Sequence, residues 1–164
     1  MVEFKRRIYR SPRQFGEEFW FLIRNRARIR ALMRDNLLSP AFRERLMLAV
    51  TAVNGCRYCS YFHAREALLT GIPEAEVESL LSGVVDCCPE EEAAAILYAQ
   101  HWAETDANPD PEARRKLIEI YGDDIAVAIE LALRMIRMGN LMGNTWDCLL
   151  YRISLGRWGR GKNI

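Results

Sequence analysis

The chain lacks most of what marks a secreted, membrane-bound or nucleic-acid-binding protein. It has no long apolar run, so no membrane span and no membrane partner are expected. No apolar stretch follows Met1-Val-Glu-Phe-Lys-Arg-Arg, so no secretory leader is expected and a reducing cytoplasm is the expected location. Neither sign of charge dominates. The 23 Lys+Arg face 22 Asp+Glu, and a net charge of +1 provides no overall field to gather nucleic acid. Ten glycines and six prolines in 164 residues are few for the many turns of a β-sandwich. Strand-length runs are missing as well: Val84-Val85 is too short, and Ile125–Ala132 follows a helical period. Cysteine is present, but its five copies are an odd number in a chain expected to stay reduced. That argues against a disulfide scaffold and directs attention to closely spaced pairs, which suit redox chemistry or a metal.

What is there is helical nearly throughout. Ser11-Pro12 is a start signal, with a capping hydroxyl followed by proline at the first helical position, and the apolar spacing after it predicts a helix to about Arg34. Ser39-Pro40 repeats the signal for a helix to about Val53, where Asn54-Gly55 interrupts. A third helix is expected from about Cys56 to Thr70, stopped by Gly71, and a short one from Pro73 to Ser82-Gly83. Pro89 and Pro111 open two more, the latter ending near Tyr121-Gly122. A last helix from about Asp124 is apolar through Ile136, meets Gly139-Asn140 and Gly143-Asn144, and resumes toward Leu155. The expectation is one all-α domain of six to eight helices over residues 1–164, long enough to bury its own core. Asp106–Pro111 is the most loop-like stretch.

One segment concentrates the chemistry: Asn54-Gly-Cys56-Arg-Tyr-Cys59-Ser-Tyr-Phe-His63. On a helix beginning near Gly55, Cys56, Cys59 and His63 fall at i, i+3 and i+7, and at about 100° per residue they point within about 60° of one another. Two thiols and an imidazole then share one stripe at a helix N-terminus, where free amides favour thiolate over thiol. A thiolate with a second thiol one turn away suits reversible disulfide chemistry, and a histidine can carry the proton. Two other accounts fit the same residues. The cysteines can be small buried hydrophobes in an inert helical scaffold or ligand-binding protein, or Cys56, Cys59, His63 and a carboxylate can form a zinc site.

The segment Glu44 to Gly71 resembles the AhpD-like branch of the carboxymuconolactone decarboxylase superfamily. The shared pattern is Glu44, eleven residues, Cys56-x-x-Cys59, three residues, His63. The closing Gly71 and the Pro73-Glu-Ala-Glu helix start are similar too, so the strongest match covers residues 39–81. The resemblance implies an AhpD-like helical fold, assembly as a homotrimer or homohexamer, and thiol-dependent peroxidase or disulfide-reductase activity. The substrate it implies is a hydroperoxide or a disulfide, and the electron donor a dithiol or thioredoxin-like protein. No cofactor and no metal are expected. Carried onto this chain, Glu44 is the base of a proton relay, His63 its imidazole, and Cys56 and Cys59 the redox pair. Tyr58 stands where part of the family has histidine. A phenol, ordinarily titrating near pH 10, shuttles protons poorly at neutral pH. The branch that decarboxylates a lactone lacks the cysteine pair.

Two arguments rank the sulfurs differently. The helix terminus favours charge on Cys56, and the relay favours Cys59, four residues from His63. The relay effect is the larger by magnitude, so Cys59 is expected to be the thiolate that meets the oxidant and Cys56 the resolving thiol, with Cys56 the more accessible sulfur when an external dithiol reduces the disulfide. Cys87, Cys88 and Cys148 read as packing residues, and His101 as a structural histidine. Ile125–Ile136 is expected to expose an apolar face that oligomerisation covers. The tail residues Arg152, Arg157, Arg160 and Lys162 around Trp158 read as a solvated terminus.

Overall fold

The structure is a computed structural model that describes residues 4–34 and 37–159. Arg160 and Lys162 of the basic tail lie outside the described residues. Eight α-helices follow one another: α1 (Pro12–Arg24), α2 (Arg26–Arg34), α3 (Pro40–Asn54), α4 (Arg57–Leu69), α5 (Glu74–Leu81), α6 (Glu90–Glu104), α7 (Pro111–Tyr121) and α8 (Asp123–Ile153). Among the described residues there is no strand, and no helix is long and apolar enough to cross a membrane.

The start signals act as their chemistry requires. Ser11 Oγ accepts from the N–H of Gln14 at 3.2 Å, and Ser39 Oγ from that of Phe42 at 3.1 Å. The expected helix from residue 12 to 34 divides at Asn25, whose side-chain amide donates to Phe21 O at 2.9 Å and competes with the helix for that carbonyl.

α3 is the central element. Arg45 through Thr51 are all buried, because α4, α5, α6 and α8 all pack on this helix. Its polar residues are paired. Arg45 lies between Glu76 of α5, at 2.5 Å, and Glu92 of α6, at 3.1 Å. Removing one member of such a buried ion pair costs about 3–5 kcal/mol, since a charge is then left uncompensated. α3 ends at Gly55, whose φ of +67° is the left-handed region glycine adopts without steric cost. That turn sends the chain directly into α4 with Cys56 as its N-cap residue.

α8 runs unbroken for 31 residues through both Gly-Asn pairs. The glycines do not interrupt it; they let the helix approach α4. A β-carbon on Gly139 would sit 3.8 Å from Cys59 Sγ, and one on Gly143 would sit 2.8 Å from Cys56 Sγ and 3.2 Å from the Tyr58 ring. The apolar stretch of α8 is also not the exposed face expected of it. Ala126, Ala128, Ile129, Leu131, Ala132, Leu133 and Ile136 are core residues, because α3, α6 and α7 cover them. Within that stretch Val127 is exposed, and more exposed apolar side chains lie elsewhere, among them Phe19, Trp20 and Ile23 on α1, Tyr61 and Phe62 on α4, and Met142, Trp146, Leu149 and Ile153 on the C-terminal half of α8.

Gly143→Ala gains about 1 kcal/mol of helix propensity, but the forced overlap costs about 1–3 kcal/mol. Urea unfolding is expected to show it less stable than wild type by about 1 kcal/mol. Gly139→Ala, which meets only ordinary contact, is expected to be neutral or more stable by up to about 1 kcal/mol. Equal tolerance at both positions would mean that the α4–α8 approach is not tight.

Candidate functional site

The four residues singled out by the sequence fall into two pairs. Cys56 and Cys59 bring their sulfurs to 3.1 Å across the first turn of α4. Glu44, on the face of α3 turned toward α4, accepts or shares a proton with His63 Nδ1 at 2.8 Å, and both side chains are mostly buried. His63 lies one turn beyond Cys59 on α4. Among the described residues no hydrogen bond joins His63 to either sulfur, so the imidazole is oriented by its carboxylate and does not hold a thiol.

The sulfurs are not equivalent, and their exposure is the reverse of the expected order. Cys56 is fully buried, whereas Cys59 is only partly so. Cys56 is the N-cap residue of α4, and its sulfur faces the Cys59 thiol at 3.1 Å, with the first-turn N–H groups of Cys59 and Tyr58 and the Arg6 guanidinium as the other polar groups acting on it. These donors outweigh burial and push Cys56 down to about 6. Cys59 is pushed up, because its hydrogen is held by Cys56, it is desolvated, and a second negative charge would face the first; only the Asn140 amide works the other way. These groups favour charge on Cys56 over Cys59, and the accessible sulfur is Cys59.

Residues the sequence did not single out complete the surroundings. Asn140 Nδ2 donates to Thr51 Oγ1 at 3.1 Å, and Asn140 Oδ1 accepts from Asn54 at 3.1 Å. Asn144 Nδ2 donates to Asn54 O at 2.8 Å and to Arg7 O at 2.9 Å. The two Gly-Asn pairs, four residues apart, thus present a repeated small–amide surface to α3 and α4. That i, i+4 repetition was the available signal, and it was read as a break. Asp147, one turn after Gly143, is fully buried and accepts from Arg6, Arg57 and Tyr58. Tyr58 therefore spends its hydroxyl on Asp147 and takes no part in the Glu44–His63 pair.

The remaining candidates stand apart from this centre. Cys148 is a core thiol. Cys88 is half-buried beside Glu76, and burial pushes it up to about 11. Cys87 is exposed rather than packed, because the turn before α6 points it outward. His101 Nε2 accepts from the N–H of Asp110 at 3.2 Å and fastens the loop before α7. Among the described residues no group of three or more His, Cys, Asp or Glu side chains has an arrangement that could hold a metal ion.

Two cysteine sulfurs 3.1 Å apart at a helix start and an adjacent carboxylate–imidazole pair define a site suited to thiol chemistry on an all-helical frame. Comparison with known families gives that frame its class: the model of the carboxymuconolactone decarboxylase family matches residues 19–101, just over half of the chain. The chain belongs to this family, which includes the AhpD-like proteins. No curated protein and no solved structure matches the chain significantly.

The ultraviolet absorbance of thiolate is expected to titrate near pH 6, the Cys56 charge being present above that pH and lost below it. Cys59→Ala removes the donated thiol hydrogen, so it is expected to raise the midpoint. A midpoint at the ordinary thiol value of about 8.5 in both proteins would show that the cap donors do not stabilise the thiolate.

Proposed function

We propose that this chain is an AhpD-like thiol-dependent oxidoreductase that cycles Cys56 and Cys59 between dithiol and disulfide, with Glu44 and His63 taking and returning a proton. The observation that carries this reading is the 3.1 Å contact between a cap-stabilised sulfur and its partner one turn away. Disulfide formation needs only a small rotation of either side chain, since a bonded pair sits at about 2.05 Å.

The steps follow from the difference between the sulfurs. His63, held by Glu44, takes the Cys59 proton, directly or through one water. Cys59 sulfur then attacks the substrate. With a disulfide RSSR, one RS⁻ leaves and a mixed disulfide forms on Cys59; Cys56 thiolate attacks Cys59 sulfur and expels the second thiol. With a hydroperoxide ROOH, Cys59 becomes the sulfenic acid as RO⁻ leaves and is protonated by His63; Cys56 attacks the sulfenic sulfur and hydroxide leaves, taking a proton from solvent to become water. Either way two electrons pass from the dithiol to the substrate. A dithiol or thioredoxin-like donor restores the pair by attacking the more exposed Cys59, with Cys56 leaving as the stabilised thiolate. Because Tyr58 replaces the family's additional histidine and is occupied by Asp147, disulfide exchange suits this site better than fast peroxide reduction.

Peptide mapping after mild oxidation is expected to find a Cys56–Cys59 disulfide that thiol reductant reverses. His63→Ala and Glu44→Gln are each expected to slow turnover by about 10²- to 10⁴-fold at neutral pH, as loss of a general base does, with the fold intact. A pair that stays free after oxidation, or variants that turn over like wild type, would overturn the reading and favour an inert scaffold.

The same reading includes assembly as a homotrimer or homohexamer in the cytoplasm. Met142, Trp146, Leu149 and Ile153 recur at helical spacing on an exposed face of α8, an apolar stripe that a second copy would remove from water. Light scattering at micromolar concentration is expected to show three or six subunits; a monomer would refute the assembly.

A further inference from the structure

Asp147 is a fully buried carboxylate held by donors from two distant parts of the chain. Arg6 Nη1 reaches Oδ2 at 2.7 Å, while Arg57 Nη2 and the Tyr58 hydroxyl both reach Oδ1 at 2.8 Å. Arg57 and Tyr58 form the turn that follows Cys56, and the stem of Arg6 lies against Gly55, the residue before it, with carbons 3.3 and 3.4 Å from where a β-carbon would stand. Arg6 also donates to Gly159 O and, at 3.4 Å, to Asn144 Oδ1. The segment around it is laid along α8 by Asn144 donating to Arg7 O and by the Tyr9 N–H donating to Thr145 Oγ1 at 3.0 Å. Cys56 has no solvent exposure beneath this arrangement, and Cys59 keeps some. Of the charged groups in this cluster, Arg6 from the N-terminal segment is the one that acts on Cys56, with Tyr58 and Cys59 as neighbouring titratable groups, while Arg57 from α4 and Arg6 both pair with Asp147 from α8.

We propose that Asp147 is a positioning residue for Cys56: it fastens the N-terminal segment and the first turn of α4 to α8, so that Arg6 stays beside the sulfur and outside reactants meet only Cys59. This deepens the proposed redox role of the pair and rests on it, but it concerns which sulfur carries charge and which is reached, and both can be read without turnover.

The direction of the effect separates positioning from simple charge. If Asp147 acted only as a nearby negative charge, removing it would make the Cys56 thiolate easier to form. If it acts by holding Arg6 in place, removing it makes the thiolate harder to form and uncovers the sulfur. The isosteric variant Asp147→Asn is therefore compared with wild type by thiolate absorbance against pH, with Cys56→Ser as the blank, and by iodoacetamide labelling mapped to peptides. The expected result is a midpoint raised by about one pH unit, a tenfold change in the thiolate-to-thiol ratio at fixed pH, together with new labelling of Cys56 in the native protein. Arg6→Gln is expected to act in the same direction, and the double variant no further, since both changes remove one arrangement. An unchanged or lowered midpoint in Asp147→Asn, or additive shifts in the double variant, would overturn the proposal. If circular dichroism shows that Asp147→Asn does not fold, Arg6→Gln decides alone: an unchanged midpoint and a still unlabelled Cys56 overturn it. A Cys56–Cys59 pair that never forms a disulfide, with these shifts intact, would instead count against the redox role.

Discussion

The close approach of α8 to the start of α4 is the constraint on which the site depends. Gly143 leaves no room for a side chain between its own backbone and Cys56 Sγ, while Gly139, one turn earlier, lies at ordinary contact distance from Cys59 Sγ. Two bare positions at i and i+4 make a flat strip on which both sulfurs rest. Interiors pack at near-crystalline density, so a strip of this kind fixes positions to within fractions of an ångström. The glycines weaken α8 as an isolated helix by about 1 kcal/mol each, a deficit offset by the burial of its other faces.

That approach obliges the polar groups around it to find partners. Asn54, Asn140, Asn144 and Thr51 are all buried and satisfy one another or main-chain groups. Among the described residues, none of the buried side-chain nitrogen or oxygen atoms is left without a partner. An unpaired group in such surroundings costs about 1–3 kcal/mol, which makes the amide network an all-or-none feature that sets the register of α8 against α3. A comparable device ties the other side of α3: Arg45, between Glu76 and Glu92, fixes α5 and α6 against it.

The two pairs of the site answer to different parts of this frame. Glu44 and His63 meet because α3 and α4 are joined by a single tight turn at Gly55 and pack side by side. Cys56 and Cys59 meet because the first of them occupies the cap and the second the third position of the same helix. Among the described residues the imidazole's second nitrogen has no hydrogen-bond partner, and of the two sulfurs Cys56 is covered and Cys59 is reachable.

Local chemistry was legible in the sequence because it depends on near neighbours. Ser-Pro starts, the Gly55 turn and the three- and four-residue spacings of Cys56, Cys59 and His63 are properties of one stretch of chain, and each is found where the spacing places it. Even the role of Glu44 came only with the family pattern, since an acid nineteen residues from a histidine has no local signature. What the tertiary structure alone decided is the state of the sulfurs and the fate of α8. Gly139 and Gly143 read as breaks, but packing against α3 and α4 outweighs their propensity and carries the helix through. The tendency of Cys56 toward charge comes from the Cys59 thiol, then from the first-turn amides and Arg6, against the opposing effect of burial. Electrostatic and solvation energies sum over groups brought together by folding, and no count of residues along the chain contains that sum.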